Sequence, residues 1–393
     1  MRIVLADFHK YVGYSGGIEN VLSKMAAAMA GRGHQVTAVF ADEKEGAPFF
    51  PLPPGVRLYN LYHVNGMKPA APGRAGKILR EILRGVSRKA ARNQNYRMLL
   101  SAREALSHVL SLERPDVIVS FREPTGRLLL EGVGTDIPVI SMLHNDPDEI
   151  FASAPEAETA ALSRSFAVQA LLPSFVEKAR RYMPGARYEA IPNAIDAPEA
   201  FTDPGAARKT HFITCVGRLT GRTKRQHLLV EAFKLVAASY PDWQVEFWGA
   251  LYDKPYVASL KARIKAAGLE KQVFLQGTTQ EMDRVWARTD IFAFPSHHEG
   301  FPLALGEAMA RGIPAVGYED CPAVNELIQN GRTGILCREG ASPLAEALET
   351  LMADGEKRRL YGLAGKLVME AYRPEEVWDR WEVLLQEAAD RRR

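Results

Sequence analysis

The residues best suited to chemistry lie between Pro295 and Pro314, where Glu299-Gly300-Phe301-Pro302-Leu303 is followed by Glu307. The stretch opens where the apolar run Ile291–Phe294 ends, and it turns helical at about Pro302, a residue suited to the first helical position. Backbone N–H groups from Gly300 to Ala304 are then aimed beyond the strand end, and with the helix dipole they form an anion site. A second cluster follows the run Phe212–Val216, where Arg218 and Lys224 stand six residues apart in a loop. Arg offers a planar fork to a phosphate and Lys a point charge. Near the N-terminus, Ser15-Gly16-Gly17-Ile18-Glu19 joins the first strand to its helix, and glycines there let a backbone approach a ligand closely. His144 ends the run Val139–Leu143. Together these groups suit a ligand that carries both phosphates and hydroxyls. Amides and cations would hold the former, and carboxylates such as Glu299 and Glu307 would accept hydrogen bonds from the latter. Taken singly, each has a plainer reading, as a solvated helix start, a decorated loop or a turn glycine. Arg222 and Arg225 keep that plainer reading.

Such a constellation needs rigid loops at strand ends, and the chain supplies them. Short apolar runs alternate with helical patterns, which predicts parallel sheets built from βα units. The runs are Arg2–Asp7, Gln35–Ala41, Val117–Phe121, Pro138–Leu143 and Ala167–Pro173, then Phe212–Val216, Val245–Trp248, Val273–Leu275, Ile291–Phe294 and Pro314–Val316. Every candidate residue follows one of these runs, as ligand-binding residues do in open α/β sheets. At 393 residues the chain suits two domains, and the break falls after Ile191-Pro192-Asn193-Ala194-Ile195-Asp196. The expected division is 1–195 and 210–375, with a linker between them and a cleft where the two sheets face each other. The segment 376–393 is expected to be a helix that packs back across the junction, with Val377, Trp378, Trp381, Leu384 and Leu385 on one face.

Bulk composition narrows the class. Lys and Arg exceed Asp and Glu by only 50 − 47 = 3, so basic character must be local. Cys215, Cys321 and Cys337 have no Cys-x-x-Cys spacing and sit in or beside apolar runs, as buried reduced thiols do. The opening Met1–Asp7 is too soon interrupted for a signal peptide, and no run approaches the roughly 20 apolar residues of a spanning helix. A cytoplasmic protein is expected.

The pattern Glu-Gly-Phe-Pro-Leu-x-x-x-Glu-Ala-Met-Ala-x-Gly-x-Pro, from Glu299 to Pro314, resembles the signature of family 4 of the retaining glycosyltransferases. These have the GT-B fold, two Rossmann-like doubly wound α/β domains with an interdomain cleft. The resemblance runs through nearly the whole chain, in order. It implies that Arg218 and Lys224 neutralise a leaving diphosphate, that Glu299 and Glu307 contact the donor, and that Gly300, Phe301 and Leu303 border it. It also implies that Gly16 and Gly17 approach the donor from the first domain and that His144 contacts the transferred sugar. The activity implied is transfer of a hexose or N-acetylhexosamine, from a UDP-sugar by preference, to a glycan or lipid-linked acceptor. A nucleotide-sugar epimerase or hydrolase, or a silent sugar- or membrane-binding scaffold, are the alternatives. No cofactor or metal is implied. Asp146-Pro147-Asp148 spells the Asp-x-Asp metal signature of another glycosyltransferase fold, but its neighbours are not those of that fold. The loop Tyr318–Leu327 departs from the glycines and Pro-Glu of many members and resembles a subgroup that assembles bacterial surface polysaccharides.

One segment falls outside this scheme. Arg74, Lys77, Arg80, Arg84, Arg88, Lys89, Arg92 and Arg97 face a single acid, Glu81, with Ile78, Leu79, Ile82, Leu83 and Val86 at helical spacing among them. A basic amphipathic helix over Arg74–Arg97 predicts peripheral attachment to an anionic membrane surface, here the inner face of the cell membrane. A core-packed helix with a solvated basic face is the plainer alternative. Nucleic acid is not expected, because no aromatic platforms accompany the charge.

Overall fold

Continuous apolar runs such as Ile3-Val4-Leu5-Ala6 and Ile291-Phe292-Ala293-Phe294 suit strands covered on both faces, and both runs are fully buried. In the computed structural model, which describes residues 1–64, 67, 72–196, 201–251 and 253–392, thirteen strands form two wholly parallel sheets. The strands are β1 (Arg2–Asp7), β2 (Gln35–Phe40), β3 (Arg57–Asn60), β4 (Val117–Ser120), β5 (Val139–Leu143), β6 (Ala167–Ala170) and β7 (Tyr188–Ala190) in the first sheet. The second holds β8 (His211–Val216), β9 (Trp243–Trp248), β10 (Val273–Gly277), β11 (Ile291–Phe294), β12 (Ala315–Tyr318) and β13 (Gly334–Cys337).

The first sheet has the order β3-β2-β1-β4-β5-β6-β7 and the second β10-β9-β8-β11-β12-β13. In each, the chain builds outward on one side and then crosses to build on the other. The crossing lies between β1 and β4 in the first sheet and between β8 and β11 in the second. These are the topological switch points at which open α/β sheets bind ligands.

Two compact units result, Met1–Asn193 with Glu375–Arg393, and Ala194–Pro374. The C-terminal helix Pro374–Asp390 packs on the first unit, burying Val377, Trp381, Leu384 and Leu385. Arg32 pairs with its Asp379 and Glu382, each at 2.6 Å, and Arg187 pairs with Glu387 at 2.5 Å. The described part of the expected linker is no free tether but part of the second unit. The Thr202 N–H donates to the Arg311 carbonyl at 2.8 Å, and Arg359 holds both carboxylate oxygens of Asp203.

The basic segment is two helices, not one. Helix α1 spans Gly17–Gly31, and the segment forms α2 (Arg74–Val86) and α3 (Arg88–Leu99). The break is at Ser87, whose extended backbone leaves the helix and whose Oγ accepts from the Ala90 N–H as the cap of α3. Nor is all its charge solvated. Arg92 turns inward to Glu158, to Glu123 at 3.3 Å and to the Ile150 carbonyl at 3.2 Å. Burial pushes the Glu158 carboxyl up to about 7, against the opposing pull of Arg92. No described helix is long and apolar enough to cross a membrane.

Candidate functional site

At the switch point of the second sheet, β8 and β11 lie side by side, and the loops that leave them are knitted together. The His297 N–H donates to the Thr223 carbonyl at 2.8 Å. Arg225 donates to the carbonyls of Pro295 and Ser296 at 3.2 and 3.3 Å and pairs with Glu339 at 2.7 Å. Arg225 is thus a buried brace between two loops rather than a decorated surface, and it adopts a left-handed backbone, φ +48°, to reach them. Within this brace Lys224 Nζ meets Glu299 Oε1 at 2.6 Å and lies 4.8 Å from the Phe294 ring. The side chains of this pair are 21% and 11% exposed, so it is shielded yet reachable.

Arg218 emerges from the same loop, exposed, and its guanidinium forms no ion pair with any described residue. The Ser296 hydroxyl is buried without a partner among the described residues. Such an orphan invites a ligand group. The anion site differs in detail from expectation. The helix is Leu303–Ala310 with Pro302 as its cap, and the Leu303 N–H already donates to the Phe301 carbonyl at 2.9 Å. That amide is therefore engaged in this conformation. Gly300 and Phe301 are buried, with the Phe301 ring 5.7 Å from that of Tyr372, and Glu307 lies half-buried on the helix behind them. Cys215 and Cys321 are buried near the Lys224–Glu299 pair, and burial pushes the Cys215 thiol up to about 12. Both are inert filler. Cys337, expected buried, is half-buried.

In the first unit the corresponding strand ends are those of β1, β4 and β5. Asp7 closes β1 and is fully buried. Arg122, just beyond β4, donates to Asp7 Oδ1 and to Glu19 Oε1, each at 2.6 Å. Glu19, in the first turn of α1, folds back over the helix cap. A Cβ on Gly16 would stand 1.9 Å from Glu19 Oε2, whereas one on Gly17 would meet nothing within 4 Å. Burial raises the pKa of Glu19, and the charge of Arg122 opposes that rise. His144 stacks on Phe121 at 5.8 Å. Burial, then the charge of Arg122, pushes its pKa down to about 3, so it is neutral at any ordinary pH. The same two causes lower His9.

Four polar atoms here are buried without a hydrogen-bond partner among the described residues: Asp7 Oδ2, His9 Nδ1, Tyr11 Oη and His144 Nε2. So many orphans beyond the carboxyl ends of β1 and β5 argue for a ligand with hydroxyls. Gly16, Gly17 and His144 were legible in the sequence. Asp7, His9, Tyr11, Glu19 and Arg122 were not. Arg122 sits in an unremarkable Ser-Phe-Arg-Glu, and only the pairing of β1 with β4 brings it to Asp7.

Asp146 and Asp148 are spent elsewhere. Asp146 caps the helix Pro147–Ser153 and takes Lys178 at 2.5 Å, while Arg181 Nη2 spans both oxygens of Asp148 at 2.8 and 2.9 Å. Among the described residues no group of three or more His, Cys, Asp or Glu is placed to hold a metal.

Comparison with known proteins matches both halves. Residues 15–198 match the family model "Glycosyltransferase Family 4", and residues 196–368 match "Glycosyl transferases group 1". An exopolysaccharide phosphotransferase of Streptomyces coelicolor is 34% identical over 52% of this chain and 21% of its own length. The chain spans less than half the length of the first curated relatives it matches. Sucrose-phosphate synthase from Thermosynechococcus elongatus superposes with a TM-score of 0.78 at 18% identity, covering 98% of each chain. Anabaena HepE, solved in complex with UDP and glucose, superposes at 0.71 and 18% identity over 98% of this chain and all of that one. These likenesses show the fold, the GT-B arrangement of two Rossmann-like units.

Proposed function

Since the chain belongs to the glycosyltransferases of the GT-B fold, we propose that it moves a sugar from a nucleotide-diphosphate donor to a glycan or lipid-linked acceptor of surface-polysaccharide type. The observation that carries this reading is the Lys224–Glu299 pair at the switch point of the second sheet, ahead of the helix Leu303–Ala310. Lys224 is a cation held by a carboxylate it can exchange for a diphosphate, and Arg218 stands exposed beside it. Glu299, once released, is an acceptor for ribose or sugar hydroxyls. In the first unit, neutral His144 offers its orphan Nε2 to a sugar hydroxyl without adding charge.

The reaction is read as retaining. The acceptor oxygen bonds to the anomeric carbon on the face from which the diphosphate leaves, the bond from that carbon to the phosphate oxygen breaks, and the departing phosphate takes the acceptor proton. The protein's part is then to position the reactants and to stabilise the leaving charge. A UDP-sugar is the favoured donor, in keeping with the UDP of the Anabaena protein. No metal is assigned, because Asp146 and Asp148 are held by Lys178 and Arg181.

The test is a panel of nucleotide sugars incubated with glycan and lipid-linked acceptors, with products read by mass spectrometry and anomeric configuration by NMR. A retained glycoside that forms equally in EDTA supports the reading. Free sugar or an epimer without glycoside would make the chain a hydrolase or epimerase, and loss of activity in EDTA restored by manganese would return Asp146 and Asp148 to the site. Binding of a nucleotide sugar with no turnover under any condition would leave a silent scaffold.

A further inference from the structure

Helix α2 gathers the largest group of exposed large apolar side chains among the described residues of the first unit. None of its residues is buried, and Ile78, Leu79, Ile82 and Val86 are 62%, 44%, 61% and 82% exposed. At 100° per residue, Ala75, Ile78, Leu79, Ile82 and Val86 fall within an arc of roughly 100°. The opposite side of the helix is the one that packs. A Cβ on Gly76 would come within 3.2 Å of Met98 Sδ on α3, and Arg80 donates to Asn95 Oδ1 at 3.3 Å. The stripe is therefore not the inward face of a core helix, and no described residue covers it.

Its ends are cationic. Arg74 begins α2 at one end of the stripe, and Arg88 and Lys89 follow at the bend beside Val86 at the other, all of them exposed, while Arg84 lies on the opposite side of the helix. Glu81 is the only acid on the helix and is paired with both Arg80 and Arg84. An apolar stripe of modest width flanked at both ends by long basic side chains, which can lay their stems on hydrocarbon and keep their charges at headgroup level, fits the surface of an anionic bilayer. Cations at both ends of the stripe, Arg74 at one and Arg88 with Lys89 at the other, complement an extended anionic surface.

We infer that α2, with the start of α3, is an in-plane docking element for an anionic lipid surface. Docking goes beyond the transfer reaction and does not depend on it, although a lipid-linked acceptor would be met at such a surface. Arg92 ties α3 to Glu123, Glu158 and the Ile150 carbonyl, so the docked element is rigidly joined to the helices that follow β4 and β5.

The test uses the full chain and sedimentation with vesicles of phosphatidylcholine alone or of an equimolar mixture with phosphatidylglycerol. Binding to the anionic vesicles only is expected, and it should weaken from 0.1 M to 1 M salt as the Debye length falls from about 10 Å to about 3 Å. Each basic residue at the surface is worth roughly a fivefold change in partitioning, so a variant with Arg74→Glu, Arg88→Glu and Lys89→Glu should lose binding by about a hundredfold. A variant with Ile78→Ser, Ile82→Ser and Val86→Ser should fall at least tenfold, with circular dichroism melts confirming that both variants fold. No binding, equal binding to both vesicles, or full binding by the serine variant would overturn the inference. So would a concentration-dependent dimer by light scattering that the serine variant abolishes, since the stripe would then cover a second copy. Lys224→Ala should dock normally. A chain that docks without transferring sugar therefore counts against the proposed reaction alone, and one that transfers without docking counts against this inference alone.

Discussion

The two switch points solve different problems with similar parts. In the second unit the charged groups sit in loops, partly reachable, with Lys224 and Glu299 holding each other and Arg218 exposed. In the first unit Asp7 and Glu19 are buried carboxylates that share one cation, Arg122, whose side chain is 23% exposed, and the atoms left over are neutral or unpaired. A loop pair can exchange partners when a diphosphate arrives. Two buried carboxylates that share one cation hold it more firmly, because losing Arg122 strands both charges in the interior. The backbone differs in the same sense. Two of the three described non-glycine residues with positive φ, Arg225 and Ala323, flank the second unit's site, whereas the third, Arg114, only ends a helix. The difference separates a site built to respond to a ligand from one built to wait for it.

The contrast is broken most directly by deleting one cation from each unit. Lys224→Ala should lower turnover roughly a hundredfold to a thousandfold, as loss of a contact that strengthens with the leaving charge does. It should shift the melting temperature little, because Glu299 can turn to solvent. Arg122→Ala should instead cost roughly 3–5 kcal/mol of stability, leaving Asp7 and Glu19 buried without their counter-charge. Thermal melts and initial rates on both variants decide it. Similar losses of stability in the two would erase the distinction drawn between the units.

A pH scan sharpens the contrast next. The folded-state pKa of Glu158 is raised from 4.5 to about 7, so the folded chain holds a proton that the unfolded chain gives up. Its contribution is full below about 4.5 and is lost as pH rises toward 7, a fall of roughly 3 kcal/mol. His144 acts oppositely. Its pKa is lowered from 6.5 to about 3, so stability rises with pH across that window. The two offset each other between 4.5 and 6.5. Glu158→Gln should uncover the His144 trend, giving steadily rising stability from pH 4 to 6.5 by urea unfolding with hydrogen exchange on first-unit peptides. A variant whose stability still falls toward pH 7 would remove Glu158 as the cause.

How much of this was readable beforehand follows the same line between loops and interior. Strands buried on both faces announce themselves as apolar runs, and ten of the thirteen were legible. Of the others, β3 and β7 are short edge strands with half-buried or exposed side chains and no such run, whereas β13 does carry the apolar Ile335-Leu336-Cys337, a run as short as the one in β10, and was passed over. Residues of the second site were legible because they stand close together in sequence, within Val216–Gln226 and Pro295–Glu307. The Asp7–Arg122 pair spans 115 residues and exists only because β4 pairs with β1, which local pattern cannot reveal. The break at Ser87 was missed for a different reason. Hydrophobic spacing continues smoothly through Val86, and the signal was the capping power of a lone serine.

Gly16 and Gly17 give a smaller test inside the first unit. Gly16→Ala would drive a Cβ against Glu19 Oε2, and Glu19 can yield only by loosening Arg122, so a loss of about 1–3 kcal/mol is expected. Gly17→Ala meets open space and should gain a few tenths of a kcal/mol by restricting the unfolded chain. If the backbone at Gly17 approaches the donor, the same variant should weaken UDP-glucose binding by calorimetry while the fold improves. Unchanged affinity would restrict this turn to holding Glu19.

The smallest effect expected is at Ala323, in the loop after β12 that borders Cys321 and, through it, the field of Glu299 and Lys224. Ala323 is fully buried at φ +65° and ψ −36°, a conformation an alanine adopts only under strain. Many proteins of the resembled family have glycines in this loop. Ala323→Gly should relieve the strain, but it also frees the unfolded chain and removes a buried methyl, so the net gain is held to about 1 kcal/mol or less. If the strain serves to hold the loop against the Lys224–Glu299 pair, turnover should fall several-fold even as the melting temperature rises. That opposite movement of stability and rate is the signature of a site that spends backbone energy on geometry. A variant that is less stable would show that the methyl contact outweighs the strain. One that is more stable at an unchanged rate would leave Arg225 as the only strained brace of the second site.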